Sequence, residues 1–303
     1  MSSGFCILTM VKDEFHFLPI WLKYYRRHFA DADIFLLDNK SGPEFRELIP
    51  SSVNRITVPD HLSGTVGGPK TVYRRVSFDS ARASFVSHLG NGLLNYYKGV
   101  IYVDVDEFLI PSAEFGHCLS RFLASGKIGQ VTAALGVNVT QLPALEPAAL
   151  DPARPILEQR AFCYLSDRYS KPLVRTGPAM WGTGFHGCNK PFTIDDDLFL
   201  FHMRDSDLDT RRNSHVMRHK EFQDHGKGAG ATWQKDASWV LDTHLGRLER
   251  SRVSQATFDT VDHGYRVREV REGFHRVLCA DGTLSRQSQF DIYRIPPSFA
   301  SLV

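Results

Sequence analysis

Within Tyr102-Val103-Asp104-Val105-Asp106-Glu107-Phe108, two aspartates sit one residue apart at the end of an apolar run. In an extended chain, side chains two positions apart point to the same side, so Asp104 and Asp106 converge. Two hard oxygen ligands held in this way suit a divalent cation, Mn2+ or Mg2+, which fills its other positions with further protein ligands, water or phosphate oxygens. His202 closes the apolar run Leu198-Phe199-Leu200-Phe201, as an imidazole that serves either the core or a ligand. His186 competes with it, because Gly182, Gly184 and Gly187 let the backbone near it approach a ligand closely. Arg204 follows His202 by two residues and opens a basic segment with Arg211, Arg212, Lys220 and Lys227, interleaved near its end with Gly226, Gly228 and Gly230. Such a segment acts either as a lid that pairs with a diphosphate or as a solvated helix face. A proton acceptor is less sharply marked. His186 is chemically able, and Asp195 lies at a suitable distance along the chain, although Asp195-Asp196-Asp197 also reads as a turn before Leu198.

The elements that must position these groups follow from apolar periodicity. Phe5–Val11, Ile34–Leu37, Arg55–Val58 and Val100–Val103 read as short buried strands. Between them, Leu18, Trp21, Leu22, Tyr25 and Phe29 share one helical face, Pro43 opens a short helix to Leu48, and a long helix is expected over Phe78–Tyr97. Strands alternating with helices imply an α/β fold with a mostly parallel sheet. Ligands gather outside the carboxyl ends of such strands. Acidic residues follow three of the strands there: Asp13 and Glu14, Asp38, and Asp104 with Asp106. Further on, Glu114–Ala124 reads as a helix, Gln130–Thr140, Lys171–Arg175 and Leu198–Met203 as strands, and Leu142–Pro155 as a proline-rich loop. Asp205–Gln223 is helix-permissive and Gly226–Gly230 a break, after which the pattern is mixed.

Composition narrows the classes. The 303 residues carry Lys+Arg 36 against Asp+Glu 34, a formal charge of +2, so no global basic field points to nucleic acid. No apolar stretch approaches the roughly 20 residues of a transmembrane helix, and the N-terminus lacks the pattern of a signal peptide. Five scattered Cys without a CxxC fit a reduced, cytoplasmic protein. Gly64–Lys70 lacks the P-loop spacing and reads as a loop to which Lys70, Arg74 and Arg75 add positive charge; HExxH and GxSxG are absent.

Three segments then carry a family resemblance. Ile7-Leu8-Thr9-Met10-Val11-Lys12-Asp13-Glu14, Leu18-Pro19-Ile20-Trp21-Leu22 and Phe35-Leu36-Leu37-Asp38-Asn39-Lys40-Ser41 resemble the opening of family 2-type glycosyltransferases. The nearest pattern is that of the subgroup reading VKNE, LPEWL and DN.S. Tyr102–Phe108 resembles its DvDEF metal motif, and Lys171–Arg175 and Phe201–Ser206 resemble later blocks. The resemblance implies a Rossmann-like GT-A domain over residues 1–204, with 205–303 as an extension completing the site. It implies a nucleotide-sugar donor, usually a UDP-sugar, and a glycan or lipid-linked glycan acceptor. Asp38 would lie near base or ribose with Asp13 or Glu14 beside it, and Asp104 would face ribose and metal. Asp106 would bind the cation that bridges the diphosphate, with His202 as third metal ligand and Lys171, Arg175 and Arg204 as further donor contacts. Asp13 stands where the subgroup more often has Asn. A lipid-linked acceptor would be met at the inner membrane face, by peripheral association. Two other readings stay open: a Mg2+-dependent phosphohydrolase using Asp104 and Asp106, and a non-catalytic nucleotide-sugar binder.

Overall fold

A computed structural model describes residues 4–58, 62–65, 71–74, 79–225, 232–285 and 289–303. The first part alternates: β1 (Phe5–Val11), α1 (Phe17–Tyr25), β2 (Ile34–Asp38), α2 (Pro43–Glu47), β3 (Asn54–Thr57), the hairpin β4 (Leu62–Thr65) and β5 (Thr71–Arg74), α3 (Asp79–Leu93) and β6 (Gly99–Tyr102). Then come β7 (Glu107–Pro111), α4 (Leu119–Ala124), β8 (Val131–Thr140), α5 (Ile156–Gln159), β9 (Phe162–Leu165), β10 (Val174–Arg175), β11 (Gly187–Cys188) and β12 (Thr193–Asp205). The chain ends with α6 (Leu208–His225), α7 (Ala237–Glu249), β13 (Arg252–Thr257), β14 (Arg266–Arg271), β15 (Phe274–Leu278) and β16 (Asp291–Arg294). The predicted start of the long helix at Phe78, the loop residues 66–70 with Arg75, and the break at 226–230 lie outside the described residues.

Strands β3, β2, β1 and β6 are parallel and in that order, as alternation predicts. The rest of the 11-stranded sheet departs from the expected mostly parallel arrangement. Strand β10 runs antiparallel to both β6 and β8, β8 to β9, β9 to β16, and β7 to β12; β12 with β8 and β13 with β16 are parallel. Strands β6 and β7 are joined by a turn closed by the Glu107 amide donating to the Asp104 carbonyl at 3.0 Å, and β7 leaves that turn to pair with β12, not with β6. Strands β11, β15 and β14 form a separate three-stranded sheet. The architecture is therefore mixed α/β, with one large mixed sheet flanked by helices. Strands β13 and β16, within the expected extension 205–303, join that same sheet through β9.

Helix α1 packs where the site begins. Its predicted face, Leu18, Trp21, Leu22, Tyr25 and the following Phe29, is buried. Tyr24 donates its hydroxyl to the Leu109 carbonyl at 2.6 Å; Tyr25 donates to the Glu107 carbonyl at 3.1 Å and accepts from the Leu109 amide at 2.9 Å. These bonds fix β7, the strand that leaves the aspartate pair, against the helix. Among the described residues, no helix is long and apolar enough to cross a membrane.

Candidate active site

Register brings the acidic loops together. Leu8 pairs with Tyr102, and Val11 with Asp38, so β1, β2 and β6 end at one sheet edge. There Asp104 is tightly held. Its Oδ1 accepts from the Tyr102 hydroxyl at 2.9 Å and the Arg82 guanidinium at 3.1 Å, and its Oδ2 meets Lys171 Nζ at 3.2 Å. Burial pushes this carboxyl up, but Arg82 and Lys171 outweigh that and hold it well below the usual carboxylate range. Lys171 Nζ also reaches Oε1 of fully buried Glu107 at 2.5 Å, while Glu107 Oε2 accepts from the Asp104 amide at 3.1 Å. Burial raises the Glu107 pKa against the pull of Lys171. Lys171, a predicted donor contact, is thus spent on two carboxylates.

Asp106 faces His202. In the β12–β7 pair, His202 lies opposite Glu107, and in the β12–β8 pair it lies opposite Asn138. That register sets His202 Nε2 3.4 Å from Asp106 Oδ2, while Nδ1 is 2.9 Å from Asn138 Oδ1. Nδ1 is engaged with Asn138, so Nε2 is the ring nitrogen that faces Asp106, the one a metal shared with Asp106 would use. Burial raises the Asp106 pKa, and His202 more than offsets it. Tyr169 stacks on the His202 ring at 4.1 Å and 22°. Gly136 makes room for that ring's turn: a Cβ there would sit 2.7 Å from the Ser166 carbonyl and the Ser170 amide.

Asp106 and His202 offer oxygen and nitrogen donors that suit Mn2+ more than Mg2+. Asp104, committed to two cations, is less suited to ligation than its spacing suggests. No group of three His, Cys, Asp or Glu side chains that could hold a metal ion occurs among the described residues. Asp106 and His202 are the two side chains here that could hold a cation.

Other predicted residues fall in three places. Glu14 lies in the loop after β1, where burial and then the Asp106 charge raise its pKa. Asp13, at φ 49°, accepts from the Gly42 amide at 2.7 Å, and buried Asp38 accepts from the Ser41 amide at 2.7 Å and meets Arg46 at 3.2 Å. Both carboxylates therefore tie loops together at the expected edge. Arg204 leads off from His202; its Nε is 3.1 Å from Asp205 Oδ1, and its Cζ is 5.8 Å from the Tyr169 ring centroid.

Three predicted roles do not fit the geometry. Arg175 is fully buried, donates to the Ala179 and Ser87 carbonyls and to Asn91, and stacks 3.9 Å over Trp181, so it serves the core, not a ligand. Asp195 lies opposite Ala134 and His202 opposite Asn138, four residues apart on β8 and so about 13 Å from one another along the sheet. The Asp195 carboxylate accepts from the Asp197 amide at 2.9 Å, so it cannot act as base at the aspartate pair. His186 packs in the loop before β11, its Nδ1 2.5 Å from the Arg168 carbonyl. Burial, then Lys171, push its pKa down to about 3, too low for a base at neutral pH. Its ring fills the space above Gly184, which has φ +67°, and meets the edge of the Tyr169 ring at 5.9 Å.

Sequence spacing does not mark Arg82, Tyr169, Asn138 or Arg218. Arg82 comes from α3, 22 residues before Asp104. Arg218 lies on α6, with its Cζ 5.8 Å from the Trp233 ring centroid. The one usable signal was helical: Arg211, His215 and Arg218 recur at i, i+4 and i+7, one face of α6. No protein-family model and no curated protein matches the chain.

Proposed function

We propose that the protein is a metal-dependent glycosyltransferase of GT-A type, moving a sugar from a nucleotide-sugar donor of the UDP type to a glycan or lipid-linked glycan acceptor. The observation that carries the reading is the Asp106–His202 pair at the carboxyl edge of the parallel strands, backed by Arg204. When bound, the cation acts as a Lewis acid on the leaving diphosphate. Asp106 and His202 would hold it. Asp104, kept ionised by Arg82 and Lys171, orients the loop and offers its partly exposed carboxylate to the donor's hydroxyls.

Titration calorimetry of UDP in Mn2+ tests the reading. Binding is expected in the wild type, with at least about a tenfold loss in Asp106→Ala and in His202→Ala. A wild-type protein that binds no nucleoside diphosphate, with or without Mn2+, overturns it.

A further inference from the structure

Strands β14 and β15 turn one face to the core and the other to solvent. Val267 pairs with Val277, which is 1% exposed and belongs to the core, so theirs is the inner face. Residues directly opposite share a face, and so do residues two apart on one strand. Arg266 pairs with Leu278, Arg268 with Arg276 and, past a register shift, Arg271 with Phe274. These four arginines therefore stand on the outer face, while Glu269 pairs with His275 on the inner one. Arg266, Arg268 and Arg271 are exposed, and Arg276 is half-buried.

An outer sheet face ordinarily mixes signs, and like charges directly opposite one another destabilise a strand pair. Here Arg268 and Arg276 oppose each other, and none of the four forms an ion pair with a carboxylate among the described residues. Asp167, which acts on Arg276, already accepts from the Ser285 amide at 2.9 Å, the Ser285 hydroxyl at 2.6 Å and the Arg168 amide at 2.9 Å. Arg276 Nε is buried without a hydrogen-bond partner among the described residues. The stem of Arg276 lies across Gly187 of β11, where a Cβ would come within 2.6 Å of Arg276 Cγ. Arg271 Cζ stands 4.6 Å from the Phe274 ring centroid, and the far edge of that ring lies against Gly182.

Spacing and surroundings select the ligand. Alternate residues on a strand are about 7 Å apart, so Arg266, Arg268 and Arg271 spread their charge along β14 further than one small anion reaches. A chain with repeated negative charges matches them. Single-stranded nucleic acid wants free aromatic faces for its bases, whereas Arg271 covers the Phe274 ring. The face also adjoins the candidate active site. Gly187, opposite Arg276, follows His186, whose ring meets Tyr169 at 5.9 Å, and Tyr169 stacks on His202 at 4.1 Å.

We infer that the outer face of β14 and β15 binds an acidic glycan, whose carboxylates are held by Arg266, Arg268, Arg271 and Arg276. Its role as acceptor rests on the glycosyltransferase reading; the binding surface rests on the strand register and the charges.

Thermophoresis of the labelled full chain, titrated with oligogalacturonate, neutral dextran of similar size, poly(U) or phosphatidylglycerol vesicles, tests this. Wild type is expected to bind oligogalacturonate at least about tenfold more tightly than dextran, with an affinity that falls as NaCl rises from about 50 to about 300 mM. Arg268→Gln with Arg271→Gln should weaken it by about tenfold or more. Lys23→Gln with Lys220→Gln, which removes two exposed cations elsewhere, should match wild type. Arg268→Glu sets opposite charges across the ladder, so it should abolish glycan binding while raising Tm by about 1–2 °C. A loss within about twofold in the first pair, an equal loss in the control pair, or dextran bound as tightly as oligogalacturonate overturns the surface. Tighter binding of poly(U) or of the vesicles overturns the glycan assignment. Circular dichroism checks that the Gln pair folds; if it does not, Arg268→Glu decides, and glycan binding retained there overturns the surface. UDP binding in Mn2+, measured on the same proteins, should not change in the β14 variants. Glycan binding by a wild type that binds no UDP keeps the surface and removes its acceptor role; UDP binding without glycan binding removes the surface alone.

Discussion

With its side chain only 3% exposed, Lys171 neutralises Asp104 and Glu107 together, and the Glu107 side chain is itself only 1% exposed. Removing the ammonium leaves Glu107 without a counter-charge in a dry site, the costly way to break a buried pair. Lys171→Met is therefore expected to lose about 3–5 kcal/mol in urea unfolding. Adding Glu107→Gln should return a good part of it, because the stranded charge is gone. A single variant as stable as wild type would mean that the two carboxylates do not depend on this lysine. The same residue shows how far spacing could be read. Lys171 stood out as part of a block resembling donor-binding residues, yet its neighbours Glu107 and Asp104 lie 64 and 67 residues earlier and claim it entirely. Asp104 and Asp106 were legible because they share one turn; His202 was legible as a histidine closing an apolar strand. Arg82 and Arg218 were not, since nothing local distinguishes an arginine that meets a distant carboxylate from one that meets water.

At the scale of elements, Asp205 is the knot between β12 and α6. It is 1% exposed, and although burial pushes its pKa up, Arg211 and Arg204 hold it well below the usual carboxylate value. A group with a depressed folded pKa stabilises the fold above its unfolded value, near 3.9, and that contribution fades as pH falls toward the folded value. Asp205→Asn should thus be less stable than wild type at pH 7 by about 3–5 kcal/mol, with the gap narrowing below about pH 4. Thermal melts across pH 3–7 check both the size and the narrowing. Gly136 is a second joint. Because its Cβ would meet backbone of the 166–170 turn, Gly136→Ala must move Tyr169 off His202, at a cost of about 1–3 kcal/mol. UDP affinity should fall with it. In the alternating first part, β1, β2, β3 and β6 were readable from periodicity and the face of α1 matched, whereas the hairpin β4–β5 falls where a loop was expected. Strand β7 was not separated from the aspartate motif, because the apolar run Phe108–Pro111 follows it without a turn residue. Strand β12 begins five residues earlier than the expected Leu198, through the Asp195–Asp197 stretch, because pairing with β8 and a register shift after Asp195 absorb those polar residues.

Across the whole molecule, β12 separates two environments. Residues alternate sides along a strand, so His202 and Arg204 face the site while Phe199, Phe201 and Met203 face away from it. On that far side, Phe201 packs against Phe258 at 5.5 Å and Phe299 at 5.2 Å, and Phe199 against the same two rings. Phe299 comes from the last residues of the chain and is 1% exposed; it also contacts His117 at 4.2 Å. The C-terminal residues therefore close the core behind the strand that carries the site, and the β16–β9 pairing holds them there. This arrangement separates stability from ligand binding. Phe299→Ala empties a close-packed aromatic cluster and should cost about 3–5 kcal/mol. Because the sheet backbone stands between the cavity and His202, the folded fraction should keep its UDP affinity within about twofold at temperatures well below the transition. Thermal unfolding and calorimetry on the same preparation check the pair of outcomes. A loss of affinity equal to that of His202→Ala would mean that packing on the far face sets the position of His202, and the two sides of β12 would then act as one unit.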